Sequence, residues 1–126
     1  MPKIIYDPRR GLMSKGGGGF TVRGPIKPHT EELSIAAAGT ATLTNHGVSA
    51  ITTTGATGIV TLPNGTNIGD EKFISLVDDG GDLTLRVTTH ETSSPEDFTG
   101  AETGDCILLK WGGTKWYTVA NNGMAT

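Results

Sequence analysis

Hydrophobic and polar residues alternate in short runs along most of the chain, which is the pattern of half-buried β-strands. The clearest run is 83–88, where Leu83, Leu85 and Val87 occupy alternate positions. No window of about 11 residues has the three-and-four spacing of apolar positions that an amphipathic helix needs. The pattern predicts strands at 33–35, 41–44, 49–52, 58–62, 72–77, 83–88, 106–111 and 115–120.

Turn signals separate these runs. Asn64-Gly65 tolerates the positive φ that tight turns require, 78–82 predicts a hairpin loop, and 112–114 predicts a closing hairpin. Short strands spaced by turns at about 8 to 12 residues are typical of a sandwich or barrel. We therefore predict an all-β fold, a compact and jelly-roll-like β-sandwich or barrel over residues 31–126, without an evident sequence repeat.

Residues 1–30 form a second region with a different composition. Four consecutive glycines (16–19) and prolines at 2, 8, 25 and 28 disfavour a helix. The region holds six cations and one anion, a net charge of +5, whereas residues 31–126 hold four cations and twelve carboxylates, a net charge of −8. A cationic extension on an acidic body predicts an extended arm that docks on an acidic surface, and a solvated tail is the alternative.

The candidate contact residues of this arm are its cations and its spaced apolar side chains. They are Lys3, Ile4, Tyr6, Arg9, Arg10, Leu12, Phe20, Arg23, Ile26 and Lys27.

No motif in the chain predicts catalysis or metal binding. His29, His46 and His90 are far apart in the sequence, whereas a zinc site needs several converging donors, usually with one closely spaced pair. The acidic 78–82 segment fits turn chemistry better than a calcium loop, and the glycines at 16–19 lack the Lys-Ser/Thr of a phosphate loop. We predict that the protein is not an enzyme and has no metal, no cofactor and no small-molecule substrate.

The length and the cysteine content restrict the number of domains and the cellular compartment. The 126 residues suffice for one domain. The single Cys106 lies in an apolar run, which predicts a buried thiol and excludes an intramolecular disulfide. No apolar run is long enough for a membrane span, and the N-terminus lacks the apolar core of a secretory signal. These features predict assembly in a cytosol and no membrane partner.

The most specific segment is 104–123, in which two tryptophan-bearing strands flank a Gly-Gly-Thr turn and an Asn-Gly pair follows. Together with Val60–Gly65 and Gly69–Phe73, it resembles small β-rich virion proteins of tailed bacteriophages, over roughly residues 33–123. The resemblance is greatest to capsid decoration (cement) proteins. It implies a structural role at the capsid surface after assembly in the host cytoplasm, the major capsid protein as partner, and a homotrimer.

Within this resemblance, Trp111, Trp116 and Tyr117 are candidates for packing between subunits, and core packing is the alternative for the two tryptophans. A tail fibre, baseplate or adaptor protein is the second hypothesis for the chain. It is less favoured because a fibre subunit usually carries a longer shaft. A carbohydrate-binding module is the third hypothesis, and nucleic-acid binding by the arm is less favoured still because aromatic residues are few.

Overall fold

The computed structural model describes residues 3–9, 11–15, 23–25 and 27–126. Its strands, in chain order, are β1 (Lys3–Asp7), β2 (Gly11–Lys15), β3 (Thr30–Ile35), β4 (Thr40–Thr42), β5 (Gly47–Thr53), β6 (Gly58–Leu62), β7 (Glu71–Asp79), β8 (Leu83–Val87), β9 (Glu96–Gly100), β10 (Cys106–Trp111) and β11 (Trp116–Asn122). The all-β prediction is confirmed. The described residues contain no helix, and so none long and apolar enough to cross a membrane.

The strands form three sheets. β1 and β2 pair as an antiparallel sheet of their own. The body consists of a five-stranded sheet, in the order β11-β10-β7-β5-β3, and a four-stranded sheet, in the order β4-β6-β8-β9. From β3 to β8 the chain alternates between the two body sheets, so that β3, β5 and β7 are parallel neighbours in one, and β4, β6 and β8 in the other. This part of the chain is a flattened coil of three stacked turns.

Antiparallel strands complete both sheets beyond the third turn. β9 pairs with β8, and the β10–β11 hairpin pairs with β7. The predicted closing hairpin around 112–114 is therefore confirmed. The sequence did not predict β9, because the strand begins with the charged pair Glu96-Asp97, and Asp and Glu are depleted in strands.

Two other predictions about topology are wrong. The 78–82 segment is not a hairpin loop, because β7 and β8 belong to different sheets; residues 78 and 79 end β7, and residues 80–82 cross to β8. The barrel alternative fails because neither sheet closes on itself. The parallel pairs also give no support to a jelly-roll-like arrangement, in which the strands are antiparallel.

The two body sheets pack face to face around one hydrophobic core. Leu83, Leu85 and Val87 are buried, as their alternation predicts. The other buried apolar residues are Ile35, Leu43, Ile51, Val60, Leu62, Ile74, Leu76, Phe98, Ile107, Leu109, Trp111, Trp116 and Met124. The core draws on both sheets, so each strand of the coil is stabilised mainly by the burial of its inward residues.

Gly65 serves the core in a way that the turn prediction did not anticipate. Its φ is not positive, so the expected reason for a glycine does not apply. A Cβ atom at this position would lie 2.3 Å from Cγ of Trp111, which is far inside van der Waals contact. Glycine is needed here because the Trp111 ring occupies the space.

Candidate functional site

The predicted arm begins with a β-hairpin that the sequence did not predict. In its register Ile4 pairs with Ser14, Tyr6 with Leu12, and Lys3 with Lys15. The turn begins at Pro8, directly after Asp7, and this combination favours turns and could have revealed the hairpin. A two-stranded hairpin is marginally stable on its own.

The remaining arm residues fall into two groups. Arg9, Arg23 and Lys27 are exposed. The predicted contacts at Arg10, Phe20 and Ile26 lie outside the described residues.

The arm joins the body at a close backbone contact. The Val48 N–H donates to the His29 carbonyl at 2.7 Å, and a Cβ atom on Gly47 (φ +80°) would lie 2.1 Å from that oxygen. The His29 ring lies against the His46 ring, with centroids 5.3 Å apart. The fold thus brings together two histidines that are distant in sequence. In the part of the chain described, no three His, Cys, Asp or Glu side chains converge to hold a metal ion.

Beside this junction, a buried ion pair ties the three turns of the coil together. Lys72 on β7 has no exposed side-chain surface, and its Nζ lies 2.9 Å from Oε1 of Glu31 on β3. The ammonium also donates to Thr44 Oγ1 at 3.0 Å and to the His46 carbonyl at 3.3 Å. Its three protons therefore have three acceptors, as a buried ammonium group requires.

The same carboxylate oxygen organises the surrounding groups. Glu31 Oε1 accepts from Ser49 Oγ on β5 at 2.5 Å, from the Thr44 N–H at 3.0 Å and from Thr44 Oγ1 at 3.1 Å. Partial burial raises the pKa of Glu31. The hydrogen bonds from Ser49, Lys72 and Thr44, with the ammonium charge, outweigh this effect and lower the pKa to about 2. Burial lowers the pKa of Lys72, and its bond to Glu31 opposes that shift.

Sequence reasoning missed this cluster, although one signal was available. Glu31 and Glu32 are adjacent carboxylates, a pattern typical of a solvated surface. Lys72, however, is in phase with the inward residues Ile74 and Leu76 of the same strand, because alternate residues of a strand face the same side. A lysine at a core-facing position needs a buried acidic or carbonyl partner.

His90 forms a second buried polar cluster, just after the end of β8. It lies outside the named strands, yet only 3% of it is exposed. Its Nδ1 lies 2.8 Å from Thr92 Oγ1, its Nε2 lies 2.9 Å from Thr118 Oγ1, and its ring packs edge-on against Phe98. Both hydroxyl partners and the aromatic neighbour fix the ring, which connects the 88–95 loop to β11.

We expect His90 to make folding stability depend on pH. Burial lowers the pKa of His90 in the folded state, although the carboxylates of Glu91 and Glu96 partly oppose this shift. Below about pH 6.5 the His90 imidazole is protonated in the unfolded chain, whereas in the folded chain its lowered pKa disfavours protonation. The free energy of unfolding therefore falls as the pH decreases through this value. Urea denaturation at pH 8 and pH 5 measures the decrease, and His90→Gln should reduce it. An equal decrease in both proteins would contradict the assignment.

The three residues predicted to pack between subunits have different surroundings. Trp116 is completely buried, its Nε1–H donates to the Pro63 carbonyl at 2.9 Å, and its ring lies edge-on to Trp111 at 5.4 Å. The burial of both indoles within one chain agrees with the alternative of core packing. Tyr117, on the opposite side of the strand, is exposed. Of these three residues, Tyr117 presents the most surface to a second subunit.

The polar clusters around Lys72 and His90 are held by hydrogen bonds between elements that are distant in sequence. No protein-family model matches the sequence, and a search of curated proteins found no match.

Proposed function

We propose that the protein is a structural virion component that decorates and stabilises a bacteriophage capsid. In this proposal the N-terminal arm binds the major capsid protein, and the β domain associates with other copies of itself. The protein carries out no catalysis and holds no cofactor. Its location is the capsid surface, reached after assembly in the host cytoplasm.

The observation that carries the proposal is the division of charge between arm and body. The arm has a net charge of +5 and the body a net charge of −8. Arg23 and Lys27 are exposed just before the body begins, so their charges are available to an acidic surface. Opposite charges on two parts of one chain favour an oriented approach, with the arm toward an acidic shell and the body away from it.

The junction between arm and body is suited to a mechanical role. His29 is bonded to β5, and two residues later Glu31 is bonded to groups on β5, on β7 and in the loop before β5. Tension on an arm anchored to a shell would therefore be distributed over all three turns of the coil. Many weak arm contacts on one particle would add up to strong attachment by avidity.

Reversing the charge of the arm tests the proposal. We expect the full-length Arg23→Glu/Lys27→Glu protein to bind purified capsids at least tenfold more weakly than the native protein, since two attractions become repulsions. Binding of the native protein should also weaken with added salt. The control is Val77→Glu, which adds negative charge at an exposed position of the body.

Deletion of residues 1–28 is the stronger form of this test. It retains His29 and the bond to Val48, and it should abolish capsid binding. Undiminished binding by either arm variant, or an equal loss in the Val77→Glu control, would contradict the proposed role of the arm.

A further inference from the structure

Most of the large apolar side chains exposed on the described body gather in one place. Four are more than two-fifths exposed: Ile68 (81%), Val119 (57%), Val77 (53%) and Tyr117 (44%). Ile68, Tyr117 and Val119 line a single groove of about 360 Å³ beside the β10–β11 hairpin, whose wall is almost entirely apolar. A clustered apolar surface of this kind is typical of a contact site, whereas scattered exposed residues are ordinary.

The loop that carries Ile68 is held firmly in place. The Asp70 carboxylate accepts hydrogen bonds from the backbone N–H groups of Thr66 and Asn67, both at 2.9 Å. The Gly69 N–H donates to the Trp111 carbonyl at 2.9 Å, and the Trp111 N–H donates to the Asp70 carbonyl at 2.8 Å. The fold thus fixes an isoleucine in solvent next to a groove, where burial of that side chain would be favourable.

The distribution of charge identifies the kind of partner. Of the four cations in residues 31–126, Lys72 is buried, and Arg86 is paired with Asp97 on the other sheet. Of the other two, Lys110 lines the groove and pairs with Glu71 at 3.3 Å, and Lys115 lies in the turn between β10 and β11. Copies with a body charge of −8 repel one another. Among the described residues, the groove lining includes Lys110 and no carboxylate, so that repulsion is reduced at this surface.

We propose that the surface formed by Ile68, Tyr117 and Val119 binds a second copy of this chain. A projecting side chain and an apolar groove lie side by side, so that Ile68 of one copy can enter the groove of the next. A strongly charged partner of either sign would have to desolvate its charges against an apolar wall and would fail to bury the apolar side chains. The proposal deepens the self-association included in the proposed function, and it specifies where the contact lies.

Sedimentation velocity on the full chain tests the contact in the absence of any capsid. We expect the native protein to self-associate, and Ile68→Glu and Val119→Glu each to raise the dissociation constant at least tenfold by placing a carboxylate in an apolar contact. The matched control is Val77→Glu, which adds the same charge at a similarly exposed valine outside the groove and should leave association unchanged. Circular dichroism would verify that each variant is folded.

A monomeric native protein, unaffected association in both groove variants, or an equal loss in Val77→Glu would each overturn the proposal. These outcomes are separable from failure of the arm contact. Association is measured without capsids, and the Arg23→Glu/Lys27→Glu protein keeps the groove intact. Loss of association with retained capsid binding by the arm would support this contact and the proposed function together.

Discussion

Replacing Lys72 with methionine should lower the free energy of unfolding by about 3 to 5 kcal/mol, the range observed when one partner of a buried ion pair is removed. Methionine fills a similar volume but leaves the Glu31 carboxylate without its ammonium partner, close to the core. The Thr44 hydroxyl and the His46 carbonyl each lose a bond as well. For a domain of this size the loss corresponds to a decrease in Tm of roughly 10 to 20 °C, and urea or thermal denaturation measures it.

A double-mutant cycle separates the pair from the packing around it. Glu31→Gln alone leaves a buried ammonium group, whereas the Glu31→Gln/Lys72→Met protein leaves no buried charge. The double variant should therefore be at least about 1 kcal/mol more stable than the sum of the two single losses indicates. The matched control is Arg86→Met, which breaks an ion pair that is solvent-exposed, and its effect should be much smaller. If the losses of stability in the two single variants simply added in the double variant, or if Arg86→Met lost as much stability as Lys72→Met, the ion pair would not be what stabilises the coil.

Substitutions at two neighbouring residues of β11, Trp116 and Tyr117, should affect different properties: the first the folding stability, the second the self-association. We expect Trp116→Ala to lower the free energy of unfolding by about 3 to 5 kcal/mol, because it empties a completely buried site and removes the bond to the Pro63 carbonyl. Trp116→Phe keeps a ring but loses that bond, so its loss should be smaller, about 1 to 2 kcal/mol. Denaturation of the purified proteins at one pH gives both values.

Tyr117→Ala serves as the control for this pair of variants. Tyr117 is exposed, so its removal should change stability by less than about 1 kcal/mol. It should instead weaken self-association in the sedimentation experiment, because its ring lines the groove. If Trp116→Ala left stability unchanged, or if Tyr117→Ala reduced it equally, the assignment of one tryptophan to the core and the tyrosine to the surface would be wrong.

The strands of the body were predictable because their signal is local. Apolar and polar residues alternate at 83–88 because one face of that strand is buried. The predicted strands 58–62 and 106–111 have the same first and last residues in the structure. The pairing of the strands was not predictable in this way. Two consecutive strands, 72–77 and 83–88, with an acidic Gly-Gly loop between them indicate a hairpin. In the structure they lie in different sheets, because their buried faces pack against each other across the core.

The buried polar clusters illustrate a second limit. A lysine and a glutamate 41 residues apart in sequence meet only because β3 and β7 both flank β5. Lys72 could have been singled out by its phase with Ile74, but its partner depends on long-range register. Gly65 is similar, since the Trp111 ring that requires a glycine there comes from a distant strand.

The contact surfaces were partly accessible from the sequence. The charge division between arm and body is a property of composition and needs no structure. The closing hairpin was correctly located, and Tyr117 was among its predicted contact residues. Ile68 was missed because a single isoleucine in a polar loop carries no pattern. Its significance depends on the bonds from Asp70 and Gly69 that hold the loop beside β10.

The central claim, that this protein coats a shell, is tested most directly by its copy number in purified particles. Quantitative gel densitometry against the major capsid protein gives that number. A decoration protein should be present in tens to hundreds of copies, in a fixed ratio to the capsid subunit. A handful of copies per particle would contradict the claim and assign the protein to the tail.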